Sequence, residues 1–352
     1  MKKGLFRKGM VLGIILLFIG AGIIPSTVGI RKEKTQIQTI KSGGYIQGLI
    51  DNASDGDTIY IPSGTYYENI VINISISLIG EDKNTTIIDG NYGEYVLYLK
   101  VDMISISNFT IKNSGSSSGD AGIRIYNSNF NTITNNIILK TELGISLLNS
   151  NNNIIAYNCI FDNSRYGIRL GSANNNSILK NNISTSRFDG IHLWDFNVNN
   201  TISENLLHHN NLNGISLYDS DKNIITKNVI NSNVFGGICI HNELSNNNLI
   251  FYNNLIDNFP NAIDYGNNSW DNGKKGNFWD DYEEYYPNAT KLPFKGIWDT
   301  PYDMIEYGQN EDYFPLIKQW SDSRTRATFH PMFYYIFERF PLLERLLSLL
   351  LL

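Results

Sequence analysis

Residues 144–193 read GISLLNSNNNIIAYNCIFDNSRYGIRLGSANNNSILKNNISTSRFDGIHL, and this stretch decides the fold. It contains three copies of a Gly-Ile-x-(Leu/Ile) unit, which begin at Gly144, Gly167 and Gly190. The unit recurs on both sides at intervals of 22–24 residues, and its glycines are Gly122, Gly144, Gly167, Gly190, Gly214 and Gly237. Repetition at this period predicts a solenoid in which every repeat forms one coil.

A second unit lies inside every repeat. An aliphatic residue is followed three positions later by Asn and two positions further on by another aliphatic residue, as in Ile178, Asn181 and Ile183. Aliphatic residues that alternate with variable ones predict short strands rather than helices. We expect the Asn side chains to lie at a tight inward turn and to bond from coil to coil, as stacked Asn ladders do. The predicted ladder comprises Asn136, Asn158, Asn181, Asn205, Asn228 and Asn253.

These rows indicate an all-β fold, a single-stranded right-handed parallel β-helix. Residues 46–53 predict a short amphipathic helix that caps the N-terminal end, because an open coil would expose core and strand edges. An irregular cap is expected at the C-terminal end. The predicted organisation is a signal peptide (1–29), a linker (30–44), the β-helix repeats (45–266), a closing segment (267–320) and an amphipathic, apolar tail (321–352).

Both termini suggest an exported protein that meets a membrane. Residues 2–8 are rich in basic side chains and precede the apolar run 10–24, which is typical of a secretory signal. An uncleaved N-terminal anchor is the alternative, although the run is short for a bilayer span. We therefore expect the protein outside the cell, at its surface or in the periplasm. Near the other end, residues 342–352 are Leu-rich but too short to span a bilayer. They predict an interfacial helix at a membrane surface or a sorting and retention tail, with a helix packed on the last coil as the alternative.

Charge argues against a nucleic-acid partner. The chain carries 28 Lys and Arg residues against 34 Asp and Glu residues, for a net charge of −6. Nucleic-acid-binding proteins usually present a clustered basic surface, and no such cluster is visible in the repeats.

Two parts of the sequence resemble known families. Residues 56–61, 64–66 and 86–90 look like the first coils of pectin-lyase-like proteins. The later coils, together with 268–282 and 296–316, resemble the NosD-like family of periplasmic copper-binding β-helix proteins. This resemblance implies a pectin-lyase-like fold, ligands along the outer face of the Gly-Ile-x-Leu sheet, and copper as a candidate cofactor.

The resemblance has one departure. Family members often carry an Asp-rich stretch where this chain has residues 288–295, which contain two lysines and no carboxylate. Hard cations prefer carboxylate oxygens, so we do not expect a calcium site there.

Strand alternation predicts which side chains line the outer face. The first outward row is Arg124, Ser146, Arg169, His192, Ser216 and Cys239, and the second is Tyr126, Leu148, Gly171, Trp194, Tyr218 and His241. With strands about 4.8 Å apart, Trp194, Tyr218 and His241 are predicted to stack as three rings. Asp195 and Asp219 begin the adjacent turns.

Three interpretations of this face remain open. As a carbohydrate platform, Trp194 and Tyr218 would stack on sugar rings. Arg169, Asp195 and Asp219 would then bond to hydroxyl groups. As a copper site, Cys239, His241 and His192 would supply the thiolate and imidazole ligands that copper prefers, although Cys239 and His192 lie two coils apart. Alternatively, the aromatic row only stabilises the stacked strands.

The sequence leans against an enzyme. Hydrolysis of a glycosidic bond needs two carboxylates a few ångströms apart. The coils beside Asp189 offer Tyr166 and Asn213 at the same position, and we find no acidic calcium cluster of the pectate-lyase kind. The favoured function is carbohydrate binding at the cell envelope. Copper delivery is the alternative, and a structural envelope protein or a polysaccharide-acting enzyme comes third.

The repeat register also predicts that the two cysteines are unpaired. Cys159 and Cys239 lie four coils apart, or about 19 Å along the axis. A disulfide requires Cα atoms within about 7 Å, so both thiols should be free.

Overall fold

The computed structural model describes residues 44–307 and 309–321. The predicted signal peptide, nearly all of the linker and the tail beyond residue 321 lie outside these residues. Within them, no helix is long and apolar enough to cross a membrane.

Three parallel sheets form the body of the molecule, and each coil contributes one strand to each sheet. Sheet A contains Thr58–Ile61, Ser77–Gly80, Ser105–Ser107, Thr132–Thr134, Ile154–Ala156, Ser177–Leu179, Thr201–Ser203, Ile224–Thr226 and Leu249–Phe251. Sheet B contains Gly64–Tyr67, Thr86–Gly93, Thr110–Ser114, Ile137–Leu139, Cys159–Phe161, Asn182–Ser184, Leu206–His208, Val229–Asn231, Asn254–Ile256 and Phe278–Trp279. Sheet C contains Ile70–Ile72, Tyr95–Leu99, Ala121–Tyr126, Leu143–Leu148, Tyr166–Gly171, Ile191–Trp194, Asn213–Leu217, Gly236–Ile240 and Ala262–Asp264.

The remaining elements are small. Asn197–Val198 pairs with Ser220–Asp221 in parallel, and Lys291–Leu292 pairs with Ile297–Trp298 in antiparallel fashion. Among the described residues there are two helices, α1 (Tyr45–Asp51) and α2 (Tyr282–Tyr285), and they lie at the two ends of the coils. The described residues form a right-handed parallel β-helix of about 10 turns, so the predicted fold class is confirmed.

The Gly-Ile-x-Leu unit forms sheet C because each of its positions meets a different environment. Ile168 and Leu170 point inward and are completely buried, and burying each such side chain stabilises the fold by about 1.5–3 kcal/mol. The first position must be glycine because the backbone of the next coil and an inward side chain approach it closely. A Cβ at Gly167 would lie 2.4 Å from Ile183 Cγ2 and 2.6 Å from the carbonyl oxygen of Gly190. The strand can therefore approach the next coil only where there is no side chain.

The predicted Asn ladder is confirmed. Asn158 Nδ2 donates to Asn181 Oδ1 at 3.0 Å, and Asn181 Nδ2 donates to Asn205 Oδ1 at 3.0 Å. The row begins at Phe109, whose N–H donates to Asn136 Oδ1. It continues through Asn228 and Asn253 into Asn277, one coil beyond the predicted series. Each amide is buried, and its hydrogen bonds offset the cost of that burial.

Two further ladders lie at the other corners of the coil. The second runs five residues before the first through Asn131, Asn153, Asn176, Asn200, Asn223 and Asn248, and it ends at Asn268, which accepts from Asn248. The third runs five residues after the first and comprises Thr141, Asn163, Ser186, Asn210, Asn233 and Asn258. It is interrupted at Ser186, where the hydroxyl of Ser186 and the Nδ2 atom of Asn163 are buried without a hydrogen-bond partner.

A left-handed backbone residue makes each of these corners. Lys180 (φ 53°) precedes Asn181 in the first ladder, and Asn175 (φ 55°) precedes Asn176 in the second. Such a conformation costs about 1–2 kcal/mol for a residue other than glycine. The ladder amide that follows accepts hydrogen bonds from the coil before, and this offsets the cost of the turn.

The N-terminal cap is the predicted helix. Ile46 and Ile50 of α1 are buried against the first coil. The carboxylate of Glu68, which belongs to this first coil, accepts hydrogen bonds from the backbone N–H groups of Ile46 and Gln47 at 3.0 Å. These donors have no partner inside the helix, so Glu68 takes the place of a helix N-cap.

The C-terminal cap is an aromatic plug. Trp270, Trp279 and Trp298 are buried, and Trp279 stacks on Tyr302 with ring centroids 4.0 Å apart. Trp279 also belongs to the last strand of sheet B, so the closing segment begins as a further coil. Residues of this segment cover the end of the core, where the sequence predicts an irregular cap.

Each of two cap tryptophans donates to a buried carboxylate. Trp270 Nε1 donates to Asp264 Oδ2 at 2.8 Å, and Trp279 Nε1 donates to Asp312 Oδ2 at 2.9 Å. The N–H groups of Asn277 and Phe314 also donate to Asp312. Burial nevertheless raises the pKa of Asp312 to about 7. The cap therefore contains a carboxyl group that titrates near neutral pH.

Candidate functional site

Four rings follow one another along the outer face of sheet C. Tyr166 stacks on His192 at 4.3 Å, and Tyr218 stacks on His241 at 4.4 Å. His192 and Tyr218 join the two pairs in a tilted contact at 5.6 Å. The predicted stack of Trp194, Tyr218 and His241 is therefore correct for its last two members and wrong for Trp194, which has no ring contact with Tyr218.

Trp194 leans towards the preceding coil instead. Gly171, its register partner there, leaves a space beside the strand, and a Cβ at Gly171 would lie 2.6 Å from Trp194 Nε1. The guanidinium carbon of Arg169 lies 4.6 Å from the indole centroid, a cation–π contact. Trp194 remains 36% exposed. It therefore presents an open aromatic edge beside a charged donor.

These side chains border a groove of about 230 Å³ on sheet C. Leu148 and Trp194 supply its apolar surface, and Arg124 and Arg169 supply its charge. Ser118, from the loop between two coils, forms part of a wall. The groove is lined by Ser118, Gly119, Arg124, Ser146, Leu147, Leu148, Arg169 and Trp194. Apolar surface with a few polar groups is typical of ligand sites.

A buried hydrogen-bond network around Asp189 orients His192 within the row of rings. Asp189 Oδ2 contacts His192 Nδ1 at 2.9 Å and accepts a hydrogen bond from Ser216 Oγ at 2.7 Å. Asp189 Oδ1 accepts from the N and Nδ2 atoms of Asn213. Burial alone would raise the pKa of Asp189, but interaction with His192 and the hydrogen bonds from Ser216 and Asn213 lower it overall. Asp189 is therefore a fixed anion that orients the imidazole.

The two turn carboxylates make local contacts. Ser172 Oγ donates to Asp195 Oδ2 at 3.1 Å, and Asn242 Nδ2 donates to Asp219 Oδ1 at 2.6 Å. Both aspartates adopt left-handed backbone conformations, with φ of 65° and 45°. Neither lines the groove beside Trp194. These contacts stabilise the turns, and neither carboxylate is placed to bind a sugar in the groove.

The residues predicted to bind copper do not fit a metal site. The Sγ atom of Cys239 is buried and donates to Asn213 Oδ1 at 2.9 Å. Burial raises the pKa of this thiol well above its usual value, which disfavours the thiolate that a metal requires. Desolvation lowers the pKa of His241, whose ring stacks on Tyr218. Among residues 44–307 and 309–321, no three His, Cys, Asp or Glu side chains cluster in a way that could hold a metal ion.

Both cysteines carry free thiols, which confirms the register prediction. Cys159 is partly buried in sheet B, whereas Cys239 is fully buried in sheet C. The different sheets, as well as the number of intervening coils, keep the two sulfur atoms apart.

Architecture and site together define a class: a pectate-lyase-like parallel β-helix with a small groove on sheet C. Its fold is similar to that of pectate lyase Pel9A (TM-score 0.51, 15% identity, 64% of this chain and 74% of that one). It is also similar to the GH87 α-1,3-glucanase of Streptomyces thermodiastaticus (TM-score 0.50, 18% identity, 60% of this chain and 43% of that one). A third similar fold is ORF18 of Geobacillus virus E2 (TM-score 0.50, 17% identity, 60% of this chain and half of that one).

The family follows from the sequence match. Residues 50–284 match the family described as periplasmic copper-binding protein (NosD), and the chain belongs to this family. The predicted resemblance is thus confirmed. No curated protein sequence matches the chain significantly. The aligned region spans only about half of the viral protein and less than half of the glucanase, so those matches concern part of each molecule.

Several site residues were missed at the level of sequence. Gly171 is the single glycine in its outward row, and that break in the row is a signal that a neighbouring side chain could lean into the space. Leu148 and Arg124 lie in the predicted outward rows, but the rows alone do not show that both side chains border the groove beside Trp194. Ser118 could not be assigned, because a loop between coils has no fixed register.

Proposed function

We propose that this NosD-family β-helix binds carbohydrate on the outer face of sheet C, with Trp194 and Arg169 as the central contacts. The observation that carries the proposal is the position of Trp194 over Gly171, with Arg169 against its ring and the groove beside it. An indole offers a flat apolar surface to the C–H face of a sugar, together with a polar N–H group.

The other groove residues suit the hydroxyl groups of a sugar. The guanidinium of Arg169 offers several donors in a fixed plane, and the hydroxyls of Ser118 and Ser146 both donate and accept. Leu148 extends the apolar surface on the far side of Gly171. The likeness to a pectate lyase and a glucanase is at 15–18% identity and concerns the fold, so the proposal depends on these side chains.

We propose further that the ligand is a polysaccharide of the cell envelope. The family description places its members in the periplasm, which agrees with an exported protein. Export by the segment 1–29 and membrane-surface contact by the tail 321–352 are parts of this proposal.

Binding of the full chain to a glycan array tests the proposal, with copper titration in parallel. We expect Trp194→Ala to abolish glycan binding and to leave thermal unfolding nearly unchanged. The matched control is Tyr60→Ala, because Tyr60 is a well-exposed aromatic residue on sheet A. Glycan binding should persist in the presence of a chelator and in Cys239→Ser. Binding by Trp194→Ala equal to wild type, or copper binding without glycan binding, would overturn the proposal.

A further inference from the structure

Three arginines converge at the N-terminal half of the sheet C face. Arg124 and Arg169 line the groove, and Arg165 Nη1 donates to Ser118 Oγ in the groove wall at 2.9 Å. Arg124 and Arg169 occupy the same outward row with Ser146 between them. Their strands are therefore two intervals apart, or about 9.6 Å along the axis.

These charges are poorly neutralised by the protein. In the described part of the chain, Arg165 has one carboxylate within 4 Å, that of Glu142 at 3.7 Å, and Arg124 and Arg169 have none. Arg169 contacts the Trp194 ring, and Arg124 lies over the rings of Tyr95, Tyr98 and Tyr126 at 5.4–5.8 Å. Aromatic faces attract a cation without cancelling its charge. The chain as a whole carries a net charge of −6, so this positive cluster is a local exception.

Two further features show how weakly the protein compensates these arginines. The Nε atoms of Arg124 and Arg165 are buried and have no hydrogen-bond partner. Burial, together with repulsion from Arg165 and Arg124, lowers the pKa of Arg169. Few protein groups therefore compensate these cations, and a negatively charged group that entered the groove would do so.

We infer that the groove takes an acidic glycan, whose carboxylate or sulfate groups pair with Arg124 and Arg169. This inference rests on the proposed function and specifies its ligand class. The planar guanidinium forms two parallel hydrogen bonds with a carboxylate or sulfate, which a neutral hydroxyl group does not match. A glycan chain that runs along the axis presents acidic groups to both arginines. The groove volume of about 230 Å³ suits a short section of such a chain rather than an enclosed ligand.

Titration of the full chain with glycans of equal length tests the inference. The probes are oligogalacturonate hexamer, dextran sulfate fragments of similar length, and maltohexaose as the neutral glycan. We expect one acidic probe to bind at least about tenfold more tightly than maltohexaose, with an affinity that falls as salt is added. Preference for the uronate or for the sulfate identifies the acidic group.

Matched arginine variants separate specific pairing from general charge. Arg169→Gln should weaken acidic-glycan binding at least about tenfold, and the loss should be largely specific to the acidic probe. Arg187→Gln is the control, because Arg187 is exposed and lies outside the groove. Equal losses in the two variants would overturn the inference. Equal affinity for maltohexaose, still abolished by Trp194→Ala, would overturn the acidic preference and leave carbohydrate binding intact. No binding of any probe would overturn both.

Discussion

Oδ1 of Asn181 accepts two hydrogen bonds from Asn158 of the preceding coil, one from its backbone N and one from its Nδ2, each at 3.0 Å. One side chain therefore satisfies a backbone donor and a side-chain donor of its neighbour at once. Its own Nδ2 donates to the next amide in the row and to the carbonyl oxygen of Ile155. Loss of one amide leaves polar groups unpaired in two neighbouring coils.

Asn181→Leu should consequently destabilise the fold. A leucine at this position leaves the donors of Asn158 unpaired, at an expected cost of about 1–3 kcal/mol in the free energy of unfolding. Denaturant unfolding of the variant and the wild type measures this difference in the free energy of unfolding. Asn211→Leu is the matched control, because Asn211 is exposed. An equal effect of the two substitutions would mean that the ladder contributes no special stability.

Ser186→Asn should have the opposite effect. Asparagine would restore the missing member of the third ladder and give Asn163 Nδ2 an acceptor. The equivalent positions of neighbouring coils already hold Asn163 and Asn210 beside the same glycine row, so the side chain fits. We expect a gain of about 0.5–1.5 kcal/mol by thermal or denaturant unfolding. Ser186→Ala removes the unpaired hydroxyl but supplies no acceptor to Asn163 Nδ2, so its gain should be smaller than that of the asparagine variant. A loss of stability in the asparagine variant would contradict the explanation of the gap.

Asp189→Asn should lower the stability of the fold at neutral pH more than in acid. The pKa of Asp189 is lowered in the folded state, so its carboxylate stabilises the fold above about pH 4, and that stability is lost as pH falls through the folded pKa. At pH 7 the variant should be less stable by about 1–3 kcal/mol, and the difference should shrink below pH 4. Unfolding at both pH values measures this. Asp162→Asn, at an exposed turn, should show little difference at either pH. A difference that does not depend on pH would mean that the charge of Asp189 is unimportant.

Asp312 should produce the reverse dependence at higher pH. Its pKa is raised to about 7, so the neutral carboxyl is favoured in the folded state, and its contribution is fully present below about pH 4. That contribution is lost as pH rises from about 4 to 7, and it amounts to at most a few kcal/mol because each pKa unit is worth about 1.4 kcal/mol. Asp312→Asn should flatten the stability profile over this interval, whatever its effect on absolute stability. An unchanged slope relative to wild type would contradict the assignment.

Cys239 should be unreactive in the folded protein, and both thiols should be free once it unfolds. Cys239 is buried and burial raises its pKa, so a thiol reagent should leave it unmodified in the folded protein. Unfolding without reductant should expose two titratable thiols per chain. Cys159→Ser should reduce that count to one and serves as the control. An intramolecular bridge detected by mass would contradict the coil register on which the rows depend.

Strand periodicity predicted the fold because side chains at the same position of each coil repeat one environment. Inward rows and the first ladder follow from spacing alone. The second and third ladders were missed, although their residues lie five positions before and five after the first, as Asn176 and Ser186 do around Asn181. A search for a five-residue interval would have found them.

The candidate site was predicted less completely, for a physical reason. Alternation decides which face of a strand a side chain takes, but not the direction in which it then leans. Trp194 leans over Gly171 because of the space there, and this depends on the neighbouring coil. Asp189 lies in the turn before its strand, where alternation says nothing, so its contact with His192 appeared only in the structure.

The first-ladder side-chain bonds join residues 22–25 positions apart in sequence. Each coil is thus completed by the coil next to it, and distant parts of the chain need not meet. In terms of folding order, a nucleus of a few coils can grow in either direction by closing one loop of nearly constant length at a time. The entropy lost at each step is then similar. A weakened coil should slow growth at that point while the coils on either side still form.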